Sequence, residues 1–282
     1  MNIKLVDRII ETALEEDIKS GDITTEATVG SEALASGDFL LKAPGKIAGL
    51  EVAERVFMLI DESLRFEKFV GDGDTLEAGI IIASVRGKAS SILTAERTAL
   101  NMMQRMSGIA TTVESYKKRI AGSKTKILDT RKTVPGLRYL DKLAVRIGGG
   151  INHRSGLYDM YLIKDNHIIA AGSITNAVKL CKEHQVENET SYKIEVEVSN
   201  FTELEEALNS SVDIIMLDNF PLNDLREAVK IVNNRCLIEA SGGITLDTIA
   251  QIAECGVDYI SVGAITHSVS ALDISLDLRL HT

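Results

Sequence analysis

The sequence predicts an α/β protein, a small N-terminal α/β sandwich followed by an incomplete α/β barrel. Three observations carry this. From about residue 122 onward, short β-branched runs alternate with amphipathic helical segments, the pattern of a parallel sheet covered by helices. Before that, short extended pieces surround one helix and are separated by turns rich in glycine and aspartate. And at the ends of six successive barrel strands polar residues accumulate, which is where a βα barrel keeps its chemistry.

Taken in order, Leu5, Val6, Ile9, Ile10, Ala13 and Leu14 recur at helical spacing. After GDITT (21–25) come extended pieces around 35–42, 45–49, 65–70 and 79–86, with a helix near 51–61. The turn GDGDTLEAG (71–79) followed by IIIASVRG resembles the hairpin of swivelling lipoyl and biotinyl carrier domains; no acceptor lysine sits at its tip, so the likeness is architectural. A helical stretch runs from Ser91 to Gly108, and a further one, IATTVESYKKRI, ends at Gly122, where glycine can take the left-handed cap conformation. Six strands follow at 124–130, 160–164, 192–198, 213–219, 236–241 and 258–263, with helices such as SITNAVKLCKEH and TELEEALN between them. Six strands do not demand a closed eight-stranded barrel; an incomplete or seven-stranded one fits as well.

Composition narrows the function. A net charge of −10 and 4% aromatic residues without tryptophan argue against nucleic acid as a partner. No apolar run reaches membrane-spanning length, and the N-terminus MNIKLVDRIIETALEED carries acids where a signal peptide is apolar. Cys181, Cys236 and Cys255 have neither metal nor disulfide spacing. The chain is therefore read as cytoplasmic. Within it, Arg131 to His167 holds seven Lys/Arg against three acids, a basic island suited to a small, highly anionic ligand.

The polar strand ends are Asp129-Thr130-Arg131-Lys132, Lys164-Asp165-Asn166-His167, Asp218-Asn219, Ser241-Gly242-Gly243 and Ser261-Val262-Gly263-Ala264, while Glu195 and Glu197 share one face of the third strand. Carboxylates turned into a barrel interior are costly unless paired or metal-bound, and Arg131, Lys132, Arg154 and Lys164 are the available partners. The glycine-bearing loops SGG and SVGA, on the last two strands, can cradle a phosphate with backbone N–H groups.

The blocks ERTALNMMQRMSGIAT, DTRKTVPGLR, GGGINHRSGLYD, LIKDNHI, IEVEV, MLDNF, EASGGI and ISVGAITHS together resemble the quinolinate phosphoribosyltransferases, over nearly the whole chain. The resemblance implies a sandwich domain at 1–107, to which 270–282 returns, and a barrel of about seven strands at 108–269. It implies a homodimer or higher oligomer in which Arg97 reaches into the neighbouring subunit's barrel. Quinolinate carboxylates would be held by Arg97, Arg131, Lys132, His153, Arg154 and Lys164, with Thr130 beside them. Glu197 and Asp218 would hold the ribose hydroxyls and, directly or through the substrate, the Mg²⁺ that accompanies phosphoribosyl pyrophosphate; Lys132, Glu197 and Asp218 would be catalytic. Ser241, Gly242, Gly243, Val262, Gly263 and Ala264, with His267, would form the 5′-phosphate cup. Rival readings are a molybdenum-associated homologue, a nicotinate phosphoribosyltransferase, a barrel aldolase forming a Schiff base at Lys164, and a carrier module built on the N-terminal hairpin.

Overall fold

The computed structural model describes residues 1–281, which form two compact units. The first unit comprises Met1–Glu114, Thr133–Gly149 and the chain from Ile265 onward; the second comprises Ser115–Lys132 and Gly150–Ala264.

The first unit opens with α1 (Ile3–Ile18), whose buried face is Val6, Ile10 and Leu14. A short helix, α2 (Ile23–Thr28), follows inside the GDITT region, because the Asp22 side chain caps it by accepting the Thr25 N–H at 3.0 Å. Then come β1 (Leu34–Leu41), β2 (Gly45–Lys46), α3 (Leu50–Ile60), β3 (Arg65–Lys68), β4 (Thr75–Leu76) and β5 (Ile81–Lys88). The main sheet is antiparallel with order β12-β1-β5-β3, where β12 is Ile274–His281. β2 and β4 pair separately. β12 runs the full length of β1, from Leu34 opposite His281 to Leu41 opposite Ile274. Phe39, Phe57 and Phe66 meet with ring centroids 5.5–5.9 Å apart, joining β1, α3 and β3 in one aromatic cluster.

The helical stretches expected on either side of Gly108 are a single 31-residue helix, α4 (Ala89–Arg119). Gly108 does not break it. A Cβ there would collide with the Ser270 carbonyl, so the glycine is the point where a second segment lies against the helix backbone. A helix that the sequence reading did not assign, α5 (Arg138–Ile147), is anchored in this unit by Asp141, whose fully buried carboxylate accepts from Arg105 Nε and Nη2, each at 2.8 Å.

The second unit is a six-stranded, wholly parallel sheet of β6 (Lys126–Leu128), β7 (Tyr161–Ile163), β8 (Ile194–Val198), β9 (Ile214–Asp218), β10 (Leu237–Ser241) and β11 (Tyr259–Ser261), in the order β6-β11-β10-β9-β8-β7. Ile151 adds a one-residue parallel bridge to Leu128 on the free edge of β6. The barrel is thus incomplete, with a rudimentary seventh strand: among the described residues no ladder joins Ile151 to β7. Helices α6 (Asp165–Ala171), α7 (Ile174–Glu187), α8 (Phe201–Asn209), α9 (Leu222–Val232) and α10 (Ile249–Glu254) separate the strands, and α11 (Ala264–His267) follows the last. Their starts are specified locally: Ser173 accepts from Asn176 N and Asn200 from Glu203 N, both at 3.0 Å. Ile214 to Leu217 of β9 are all buried, as strands covered on both faces must be. The sandwich and the incomplete parallel barrel are the two architectures expected from the sequence.

Candidate active site

Because all six strands run parallel, their C-terminal ends lie at one end of the sheet. Residues 129–132 follow β6, Lys164 follows β7, Glu197 lies near the end of β8, Asp218 and Ser241 close β9 and β10, and Val262 follows β11. In the second unit, therefore, Thr130, Arg131, Lys132, Lys164, Glu197, Asp218, Ser241–Gly243 and Val262–Ala264 are brought together, with His153 and Arg154 after the Ile151 bridge. Arg97 and His267 belong to the first unit, so the constellation assembled by the second is without them. Arg97 is 60% exposed and its ion-pair partner is the adjacent Glu96, 4.0 Å away; His267 Nδ1 contacts Ser268 Oγ at 2.7 Å.

The basic island also divides. Arg131, Lys132, Arg154 and Lys164 lie in the second unit, whereas Arg138, Lys142 and Arg146 sit on α5 in the first. Four of the seven cations thus belong to the unit that carries the parallel strands.

Acidic side chains fix the segments that carry Arg154 and Lys164. Fully buried Asp129 accepts from Asn152 Nδ2 at 2.6 Å and from the His153 backbone N–H at 2.9 Å, pinning residues 152–153 to the end of β6. The Arg154 segment is closed by Asp159, whose carboxylate accepts from the backbone N–H groups of Ser155 (2.7 Å) and Gly156 (3.2 Å). Burial would raise the Asp159 carboxyl, but these donors outweigh it and hold it below its usual value. Lys164 Nζ is paired with Glu197 Oε2, and its backbone N–H donates to His167 Nδ1 at 3.0 Å, so His167 serves the start of α6.

Arg131 and Arg154 repel one another. Burial first, and then the Arg131 charge, push the Arg154 guanidinium below its ordinary value. Arg131 Nε is itself buried without a hydrogen-bond partner. Two like charges side by side, one with an unused donor, form a site that an anion with two acceptor groups would satisfy.

The carboxylates differ sharply. Glu197 has Lys164, and Asp218 Oδ2 accepts from Asn219 Nδ2 at 2.8 Å. Glu195 has no such partner. It is fully buried, and burial pushes its carboxyl up to about 7. Facing it is Glu239 of β10, a residue the sequence reading passed over, which is also fully buried and is raised to about 8, by burial first and then by Glu195. His153 Nε2 stands 3.0 Å from Glu195 Oε2 and 3.5 Å from Glu239 Oε2. These approaches lie off the line of a hydrogen bond, and the four carboxyl oxygens lack partners of good hydrogen-bond geometry, although the Ser261 hydroxyl is near enough to Glu239 to oppose part of its rise. The signal for Glu239 was present. It is two residues before Ser241 on the same strand and so shares its face, the argument already applied to Glu195 and Glu197.

The glycine loop has its own geometry. Gly242 has φ +99°, Gly243 has φ +59°, and a Cβ on Gly242 would strike the Asn219 side chain and lie 2.9 Å from its backbone nitrogen. Asn219 N donates to Ser241 O at 2.9 Å, tying the β9 and β10 ends together.

Two protein-family models match the chain: the N-terminal domain of quinolinate phosphoribosyl transferase over residues 22–107 and its C-terminal domain over residues 109–277. The chain belongs to the quinolinate phosphoribosyltransferase family. Among its relatives, the decarboxylating quinolinate phosphoribosyltransferase 1b of Nicotiana tabacum is 45% identical over 286 residues, covering 96% of this chain and 81% of that protein. The Bacillus subtilis (strain 168) protein named as a probable carboxylating nicotinate-nucleotide pyrophosphorylase is 41% identical over 283 residues, covering 99% and 96%. The crystal structure of NadC from Streptococcus pyogenes superposes with a TM-score of 0.94 at 38% identity, covering 100% of this chain and 99% of that one. Membership of the quinolinate phosphoribosyltransferase family accounts for both units, and sets aside the aldolase and carrier readings.

Proposed function

We propose that this chain catalyses decarboxylating phosphoribosyl transfer, joining quinolinate to phosphoribosyl pyrophosphate and releasing nicotinate mononucleotide, pyrophosphate and CO₂, a step of NAD biosynthesis. The observation that carries this reading is the mutually repelling Arg131–Arg154 pair beside Lys164 and Glu197, in a chain 41% to 45% identical to proteins named for that activity. Quinolinate is a planar dianion, and in a chain of net charge −10 only a local concentration of cations draws it in.

Arg131 and Arg154 bind its adjacent carboxylates through their forks, and Lys132 and Lys164 complete the cradle with Thr130, His153 and Arg97. The ring nitrogen attacks the anomeric carbon as the bond to pyrophosphate breaks, its electron pair leaving with pyrophosphate. Holding the two reactants in line contributes more here than a protein nucleophile could. The carboxylate next to the alkylated nitrogen then leaves as CO₂, and its electron pair stays on the cationic ring until a proton replaces it. Lys132 stabilises charge in these steps. Glu197 and Asp218 hold the ribose hydroxyls, and the loops 241–243 and 262–264 take the 5′-phosphate.

Mg²⁺ fits the donor set at Glu197 and Asp218. Both offer hard carboxylate oxygens on neighbouring strands, and neither belongs to a group of three protein ligands among the described residues. This suits a cation that keeps most of its coordination for the substrate. When bound, it neutralises charge growing on the departing pyrophosphate.

The reading also includes a homodimer or higher oligomer with Arg97 donated in trans, supported by that side chain's exposure, and a cytoplasmic location. No helix among the described residues is long and apolar enough to cross a membrane.

The direct test is incubation with quinolinate, phosphoribosyl pyrophosphate and Mg²⁺. Equimolar CO₂ and nicotinate mononucleotide are expected, and consumption of nicotinate in place of quinolinate would overturn the reading. Mixing Arg97→Ala with Lys132→Ala chains should restore part of the activity if Arg97 acts in the neighbouring subunit; no recovery would refute it.

A further inference from the structure

The proposed reaction uses Arg154 and His153 but leaves two fully buried glutamates beneath them without work. His153 Nδ1 accepts the backbone N–H of Arg154 at 2.7 Å, so the ring proton sits on Nε2. That edge of the ring is turned to Glu195 and Glu239. The three side chains bring one ligating atom each within 4.8 Å of one another, and the four carboxyl oxygens lack partners of good hydrogen-bond geometry.

Resting on the quinolinate reading, the geometry points to Glu239 as a positioning residue: with Glu195 it backs the Nε2 edge of His153, and His153 in turn fixes the backbone of Arg154 at the dianion cradle. Glu239 acts through His153 and does not touch substrate. Two carboxyl groups fully buried against one imidazole edge are costly as a pair of charges, and the arrangement is relieved when one carboxyl carries a proton and donates it to the other while the imidazole Nε2–H faces the charged one. The raised position of Glu239, to about 8, agrees with its being the proton carrier near neutrality. A protonated carboxyl has nearly the shape and hydrogen-bonding capacity of an amide, so glutamine should replace it.

The experiment compares Glu239→Gln and Glu239→Leu with the wild-type enzyme. Outer-shell partners of this kind are typically worth about 10- to 100-fold, so Glu239→Leu should raise KM for quinolinate by about tenfold or more. KM for phosphoribosyl pyrophosphate should move less than about twofold. Glu239→Gln should stay within about threefold of wild type on both. ¹⁵N-histidine NMR of the wild type and Glu239→Gln should show one ring protonated at Nε2 and bare at Nδ1, assigned to His153 through its loss in His153→Asn. Unchanged quinolinate KM in Glu239→Leu would overturn the inference. So would Glu239→Gln as impaired as the leucine variant, or a His153 ring protonated at Nδ1. If the leucine variant does not fold, the glutamine kinetics and the NMR decide. Stoichiometric metal in the purified wild type that is lost in Glu239→Gln would also overturn it, since the cluster would then be a ligand set. A wild type inactive on quinolinate refutes the parent reading, whereas an active wild type with an indifferent Glu239→Leu refutes the positioning role alone.

Discussion

Glu239 makes the stability of the second unit depend on pH in a direction opposite to that of most carboxylates. Its folded-state value of about 8 lies above the ordinary 4.5, so between those limits the folded chain binds a proton that the unfolded chain has released. Stability from this group is complete below about pH 4.5 and drains away as pH rises towards 8. At about 1.4 kcal/mol for each pH unit, the displacement amounts to a few kcal/mol. For a unit of this size that corresponds to roughly 10–20 °C in melting temperature. Glu239→Gln removes the titrating group while keeping the volume. The assay is differential scanning calorimetry of both proteins at pH 5.5, 7.0 and 8.5 at fixed ionic strength. The wild type should lose stability steadily across the series. The variant should lose markedly less, with the remainder due to Glu195, which burial raises to about 7. Equal slopes in the two proteins would show that Glu239 is not a protonated buried group.

Three other perturbations have definite outcomes. Asp141→Ala removes the fully buried partner of Arg105, and should cost about 3 kcal/mol, read as a fall in melting temperature, while Asp141→Asn costs less. Gly242→Ala forces a side chain into a left-handed conformation and against Asn219; KM for phosphoribosyl pyrophosphate should rise about tenfold or more, with quinolinate KM changed less. Lys164→Met leaves Glu197 without its ion-pair partner and should lower kcat/KM by on the order of 100-fold, without return of activity on adding free alkylamine if the ammonium must be held in place.

Much of the fold was legible because parallel strands buried on both faces read as unbroken β-branched runs, as in Ile214 to Leu217. The misreadings have particular causes. Gly108 looked like the end of a helix because glycine disfavours helix interiors, yet its lack of a side chain is what lets Ser270 approach. The charges in RYLDKLAVRI mask the period of α5, although Leu140, Ala144 and Val145 mark a buried face. The sequence likewise merges two groups of cations that the folded chain assigns to separate units. At the site, the strand-end rule pointed to the polar residues that follow the parallel strands. It could not reveal Glu239, which lies one layer deeper, nor Asp129's grip on residues 152–153, which depends on a bridge of a single residue at Ile151.

The register of β12 along β1 has a consequence for biosynthesis. Residues 34–41 are made early, but the strand that completes their sheet, 274–281, emerges only after all six parallel strands have been translated. Until then the β1 side facing β12 is an unpaired edge on the nascent chain, open to pairing with a neighbouring polypeptide. Maturation of the first unit is therefore coupled to completion of the second, and a chain halted before residue 274 would expose a sticky β-strand with no native mate.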